Sequence, residues 1–180
     1  MRPWLQRNRL GLAAVVVLLP ATVGITFATQ WGDYFGSRPS APTTVASGDS
    51  ADFAGAGWSV EGTRRVAAAS AEAEQIGLPA GSDLLITTVR VVPDGSGDAP
   101  QCTVRLEEFD GGSVARTWGD AGYAAISYSP AEGTESYCAH DVDDPYLLET
   151  AFVVPSDTGD DLALALVVVS EIPRYLSLRL

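Results

Sequence analysis

The stretch that decides the fold is LLETAFVVPSDTGDDLALALVVVSEIPRYLSLRL, residues 147–180. Its apolar residues recur with a period of two on both sides of an acidic turn, PSDTGDD, and again before the end, which is the pattern of half-buried β-strands. The residues predicted to face the core from these strands are Leu148, Phe152, Val154, Leu162, Leu164, Leu166, Val168, Leu176, Leu178 and Leu180. The opposite positions include Glu149 and Tyr175, so this part of the chain predicts strands with one face on a core.

The same period continues upstream. Residues 102–107, CTVRLE, alternate cleanly, which predicts Cys102, Val104 and Leu106 in the core and Glu107 in water. Residues 84–92, LLITTVRVV, are β-branched and apolar on both faces, as in a central strand. Weaker strand candidates are residues 58–65, 114–118 and 123–128.

Turn residues separate these segments. The run Asp110-Gly111-Gly112 predicts a hairpin. Only residues 67–76, AAASAEAEQI, have helical composition, and Gly77 ends that segment. About seven or eight strands over this length indicate an antiparallel β-sandwich of two sheets, with a partly open barrel as the alternative.

The closing pattern resembles the end of the telokin-like, immunoglobulin-like exported domains found in uncharacterised membrane-anchored proteins of high-GC bacteria. The matching features are an aromatic-Val-x-Pro strand end at residues 152–155, the acidic turn, the apolar strand and the last strand with Tyr175. The resemblance covers mainly residues 84–180 and implies an immunoglobulin-like sandwich. It transfers no catalytic or binding residue.

Residues 10–28, LGLAAVVVLLPATVGITFA, carry no charged side chain. As a helix this segment would span about 28 Å, close to the hydrocarbon thickness of a bilayer. Arg2, Arg7 and Arg9 precede it, which predicts a cytoplasmic N-terminus and an extracytoplasmic C-terminal domain. The sequence thus predicts a single-pass protein of the cell membrane that contacts the lipid bilayer through residues 10–28.

A cleaved signal peptide is the alternative, since Thr26-Phe27-Ala28 has the small residues of a cleavage site. The length of the apolar run favours a retained signal-anchor. So do Trp4 before it and Trp31 after it, because indole rings settle at membrane interfaces.

Four segments follow from these patterns. Residues 1–9 are a cytoplasmic basic head and residues 10–28 a transmembrane helix. Residues 29–56 are a juxtamembrane segment and a disordered stalk, because small and polar residues dominate there. Residues 57–180 form the β domain, with order expected to begin near Trp58.

The chain has 11 basic and 23 acidic residues. Three of the arginines precede the apolar segment, so the rest holds eight basic and 23 acidic residues, a net charge of −15. Nucleic acid is therefore excluded as a partner, because its binding needs Lys and Arg to neutralise phosphates.

Two cysteines, Cys102 and Cys138, both follow the apolar segment. In an oxidising compartment an even number of cysteines predicts a disulfide, which would close a loop and pin the turn-rich segment before Cys138. Free thiols are the alternative.

Candidates for chemistry are few. His140 is the only histidine, there is no lysine, and no G-x-S-x-G or phosphate-binding loop occurs, so we expect no enzyme, no catalytic residue and no cofactor. Asp141, Asp143 and Asp144 form an acidic run that could bind Ca²⁺ if carboxylates converge, although the twelve-residue calcium loop is missing. Carboxylates such as Glu108 are interpreted as solvated.

Arg64, Arg65 and Tyr137 are candidates for an interaction surface, because arginine and tyrosine are enriched at binding hot spots. The sequence therefore predicts a non-enzymatic, membrane-tethered domain that contacts another envelope or membrane protein. A module for Ca²⁺ or a small ligand is the alternative, and an exported hydrolase is a remote one.

Overall fold

The computed structural model describes residues 2–95, 101–121, 126–139 and 143–180. They divide into two compact units, Met1–Arg38 and Pro39–Leu180. The helices are α1 (Arg2–Arg7), α2 (Arg9–Gly36) and α3 (Ala71–Ile76). The strands are β1 (Ala41–Val45), β2 (Ser50–Phe53), β3 (Ala56–Val66), β4 (Ser82–Pro93), β5 (Cys102–Asp110), β6 (Ser113–Gly119), β7 (Tyr146–Pro155), β8 (Leu162–Val168) and β9 (Arg174–Arg179).

In the first unit, α2 contains the whole apolar segment and continues for two further turns to Gly36. Its mean hydropathy reaches 2.3 over an 18-residue window, and no residue of the helix is buried. By length and composition it can cross a membrane, as predicted for residues 10–28. Pro20 lies inside the helix without ending it.

The second unit is mostly β and consists of two sheets. One has five strands in the order β1-β9-β8-β5-β6, and the other has four in the order β2-β3-β4-β7. The all-β prediction is confirmed at this level. The described residues form nine strands rather than seven or eight, and β1 pairs with β9 in parallel, so the unit is not wholly antiparallel as predicted.

The apolar core lies between the two sheets. All ten core positions predicted in residues 147–180 belong to it or pack against it, as do Cys102, Val104 and Leu106. The predicted central strand is β4, which pairs with β3 on one side and β7 on the other. Trp58 is fully buried in this core and donates its indole N–H to the carbonyl of Phe53, at 2.8 Å.

Order begins earlier than predicted. Residues 41–53, assigned from sequence to the disordered stalk, form β1 and β2. Composition did not predict β1 because this strand exposes four of its five residues. It is held by backbone pairing to β9 rather than by an apolar face. The stalk prediction of residues 29–56 is therefore wrong for this part, since the β unit starts at Pro39.

The outer face of the four-stranded sheet is partly covered by α3. This helix begins later than predicted, because the hydroxyl of Ser70 accepts the N–H of Ala73 and caps its first turn. It ends as predicted at Gly77, whose φ of 70° is readily adopted only by glycine. Residues 126–128 are not a strand, and 123–125 lie outside the described residues. The hairpin at Gly111 and Gly112 is confirmed between β5 and β6.

On the outer face of the five-stranded sheet, the prediction that Glu107 lies in water is wrong. Its side chain is buried, with 3% of the residue exposed, and not solvated. The hydroxyl of Tyr175 donates to it at 3.4 Å, and the guanidinium of Arg105 lies 3.4 Å away. Burial raises the pKa of this carboxyl, and the nearby arginines and the Tyr175 hydrogen bond only partly oppose that shift.

Candidate functional site

The predicted interaction residues Arg64 and Arg65 lie on β3, just after a bulge at Glu61. Both side chains are engaged within the chain. Arg64 pairs with Glu72 of α3 at 2.6 Å across an exposed surface. Arg65 donates to the carbonyl of Thr158 at 3.1 Å, and thus reaches the turn between β7 and β8.

A cleft of about 440 Å³ lies beside Arg64, and we call it the Glu149 cleft. Its lining residues come from β3, β4, β7 and the segment that follows Ile126: Gly62, Thr63, Arg64, Ile86, Thr88, Tyr128, Ser129, Ala131 and Glu149. Glu149 is only 7% exposed. The alternation places it on the face opposite the core, and there the segment carrying Tyr128 and Ala131 covers it.

Glu149 holds that covering segment in place. Its carboxylate accepts a hydrogen bond from the Tyr128 hydroxyl and another from the backbone N–H of Ala131, at 3.1 Å. Burial raises the pKa of Tyr128, and the adjacent carboxylate raises it further, so the phenol stays a donor. This arrangement closes one side of the Glu149 cleft.

The other side of the Glu149 cleft opens at β3. Gly62, Thr88 and Glu149 are neighbours in register across three strands. Gly62 has no side chain, and a Cβ built there would meet nothing within 4 Å. No side chain therefore covers the β3 side of the cleft at Gly62.

The predicted disulfide is present between Cys102 and Cys138, with a Cα–Cα distance of 5.6 Å. A second cleft of about 490 Å³, the disulfide cleft, lies beside it. It is lined by Cys102, Thr103, Val104, Arg105, Thr117, Gly119, Asp120, Ser136, Tyr137, Cys138, Leu148 and Thr150. Tyr137 is 57% exposed there. Arg64 and Tyr137 thus line different clefts and do not form one surface.

The turn between β7 and β8 is fixed by arginines. Glu108 accepts from Arg116 and from the backbone N–H of Gly159, at 2.8 Å, and these hydrogen bonds lower the pKa of its carboxyl. Arg116 also donates to Asp157 at 3.1 Å. Asp161 pairs with Arg179 at 2.6 Å. Two carboxylates of the acidic turn, Asp157 and Asp161, are therefore paired with arginines, and Glu108 is not solvated as interpreted.

Of the predicted metal ligands, Asp143 and Asp144 are exposed, while Asp141 and His140 lie outside the described residues. Within the described ranges, no three His, Cys, Asp or Glu side chains are grouped so as to hold a metal ion. Calcium binding by the complete acidic run remains a prediction.

Sequence reasoning missed the hydrogen bond between Glu149 and Tyr128 and the ion pair between Glu108 and Arg116. Each joins residues far apart in sequence or on different strands. The usable signal was the acidic residue inside an otherwise apolar strand, since a carboxylate there needs partners.

Comparisons of this chain with protein-family models, with curated proteins and with solved structures found no match.

Proposed function

We propose that this chain is a single-pass membrane protein whose β unit is a non-enzymatic interaction domain outside the cytoplasm, acting on another envelope or membrane protein. In this proposal the β unit is an immunoglobulin-like sandwich, in keeping with the two sheets around one core. The helix α2 is a retained anchor, and lipid covers its apolar side chains.

The observation that carries the proposal is that α2 is apolar in composition and yet not buried by the protein. Its 28 residues form an apolar helix of which none is buried by the protein. Exposed apolar surface on this scale is unfavourable in water and is covered readily by hydrocarbon. Three rings at its C-terminal end, Phe27, Trp31 and Phe35, contact one another one turn apart. Such rings favour the membrane interface and support a retained helix.

Two further features support the orientation. Arg2, Arg7 and Arg9 precede the apolar segment, and positive residues favour the cytoplasmic side. The disulfide between Cys102 and Cys138 suits an oxidising compartment for the β unit.

Binding rather than catalysis is supported by how the buried acids are used. Glu149 is occupied by Tyr128 and Ala131, and Glu108 by Arg116 and Gly159. Both carboxylates hold loops in place and thereby shape the surface. A surface of this kind suits a protein partner.

Reporter fusions test the topology. A reporter that works only outside the cytoplasm, fused after Leu180, should be active, and a reporter that works only inside should not. Replacing Arg2, Arg7 and Arg9 together with glutamine should reduce export, whereas Arg38→Gln, on the other side of the apolar segment, should not. The reverse reporter pattern would refute the orientation.

Crosslinking in native membranes tests the interaction. A photoreactive residue at an exposed β-unit position should give a discrete crosslinked species of defined mass. Exposed positions that give only monomer, together with hydrolytic activity abolished by Glu149→Gln, would favour an enzyme and refute the proposed function.

A further inference from the structure

The two outer edges of the four-stranded sheet differ in how they are covered. The edge of β7 is paired with other segments, since Ala121 donates to the carbonyl of Ala151 at 2.6 Å and Glu135 donates to that of Leu147 at 2.7 Å. At the opposite edge, β2 pairs only with residues 56–59 of β3. Within the described part of the chain, residues 61–65 have β4 on one side and no strand on their other side, and all five are exposed.

Unpaired strand edges are templates for another strand. The bulge at Glu61 and the two arginines restrict what can pair here, because bulges and charges discourage indiscriminate pairing. The segment EGTRR is nevertheless complementary to its own reverse. Read backwards about Thr63, glutamate meets arginine and glycine meets arginine.

We propose that this edge binds a second copy of the same chain, by antiparallel pairing of residues 61–65 about a two-fold axis midway between the two copies of Thr63. The inference rests on the proposed function, because it names the partner of the tethered domain. It would extend the four-stranded sheet into one continuous sheet across two copies.

The charges select this register. A two-fold axis perpendicular to the sheet must lie midway between the two copies of one residue, so that paired side chains are on the same face. An axis between the two copies of Arg64 would set that arginine against its own copy, and like charges directly opposite are destabilising. An axis between the two copies of Thr63 sets Glu61 opposite the second copy's Arg65 and Gly62 opposite the second copy's Arg64. Both contacts occur twice, as a two-fold interface requires.

In the proposed register, the Glu149 cleft gives the second copy's Arg64 room above Gly62. Arg64 and Gly62 lie on the outer face, since their partners on β4, Ile86 and Thr88, line that cleft. The second copy's Arg64 would therefore extend over Gly62, where no side chain obstructs it, towards the Glu149 carboxylate. The existing pair of Arg64 with Glu72 is exposed on both sides and is readily exchanged.

Anchoring by α2 would assist such a short interface. Confining two copies to one membrane raises their effective concentration, so weak edge pairing can become significant.

Oxidative crosslinking of the full chain in membranes tests the proposal. The two native cysteines are already bonded to each other, so Thr63→Cys adds a single reactive thiol. Mild oxidation should give a reducible dimer at twice the mass of the chain. Thr43→Cys is the matched control, an exposed threonine on β1 at the edge of the other sheet, and should remain monomeric.

Charge reversal tests the register. In the Thr63→Cys background, Glu61→Arg sets arginine against Arg65 and should lower the dimer yield at least fivefold. Glu74→Arg makes the same charge change at an exposed position of α3 and should leave the yield unchanged. Unchanged thermal melting of each variant confirms that the fold is intact.

No dimer with Thr63→Cys, equal dimer with Thr43→Cys, or a yield insensitive to Glu61→Arg would overturn the proposal. A crosslinked species of another mass would show a different occupant and overturn it as well. The crosslink is scored in membrane and soluble fractions separately. Loss of the chain from membranes would therefore count against the anchor alone, and loss of the dimer against the pairing alone.

Discussion

The helix α2 and the strand β8 use the same residues, leucine, valine and alanine, in opposite ways. Leu19 of the helix is 61% exposed, whereas Leu164 of β8 is 0% exposed. The helix satisfies its backbone hydrogen bonds internally and leaves its side chains to the surroundings. The strand pairs with β5 and β9, and its core-facing side chains pack in the core between the two sheets. The same apolar content is therefore buried by protein in β8, whereas in α2 the protein buries none of it.

The largest expected effect follows from Leu164→Ala. Because Leu164 is enclosed by both sheets, the truncation should lower the free energy of unfolding of the β unit by about 3–5 kcal/mol. Denaturant titration of the full chain in detergent, followed by near-ultraviolet circular dichroism, measures this. Leu19→Ala is the matched control and should leave that transition where it is. Equal losses from both variants would end the contrast between the two environments.

The disulfide gives the next effect. Replacing Cys102 and Cys138 together with serine should keep the two sheets but lower the free energy of unfolding by at most about 4 kcal/mol, since a closed loop is released. Thiol titration of the denatured, unreduced wild-type chain should find no free sulfhydryl. Two free thiols per chain would refute the bond and weaken the argument for an oxidising compartment.

A charged residue within α2 tests the membrane environment proposed for the helix. Leu19→Arg places a cation in the middle of the apolar segment, where insertion costs about 2.5–3.5 kcal/mol. The fraction of the chain that resists alkaline extraction from membranes should fall, with the melting of the β unit unaffected. Gln30→Arg, beyond the apolar segment, should extract like the wild type. A lower melting temperature with Leu19→Arg would show that α2 supports the β unit directly.

The smallest effects concern two adjacent carboxyls of β5 with opposite pKa shifts. The pKa of Glu108 is lowered, so its stabilisation is present above its ordinary pKa and is lost as pH falls through the lower folded value. Glu108→Gln should therefore destabilise the β unit at pH 7, and this effect should shrink as the pH falls below the ordinary pKa of a glutamate. The pKa of Glu107 is raised by burial, so its ionised form opposes folding at neutral pH, and stability rises as pH falls through the folded value. Glu107→Gln should raise the melting temperature at pH 7, and a loss as large as that of Glu108→Gln would contradict the assignment.

The same two residues show how far sequence predicts this fold. Strands β5, β7, β8 and β9 follow from alternation, because each has an apolar face on the core, and β4 follows from its run of β-branched and apolar residues. Alternation also assigned Glu107 to the solvated face, but it could not show that Tyr175 lies over that position. Contacts of this kind depend on strand order, which alternation does not encode.

Two other failures have the same origin. Strand β1 was missed because its pairing with β9 joins the two ends of the β unit, and no local apolar pattern predicts such a pairing. The Glu149 cleft was missed because it needs the segment of Tyr128 to lie on β7, a contact between distant parts of the chain. The disulfide was predicted correctly because two cysteines leave only one pairing.

The central claim is that α2 remains attached and holds a folded β unit outside the cytoplasm. Intact-mass spectrometry of the chain from alkali-extracted membranes, after labelling whole cells that carry Thr43→Cys with a membrane-impermeant maleimide, tests both parts at once. The account predicts a full-length chain in the membrane pellet that carries one label. A soluble chain starting near Thr29, or labelling that requires cell lysis, would contradict it.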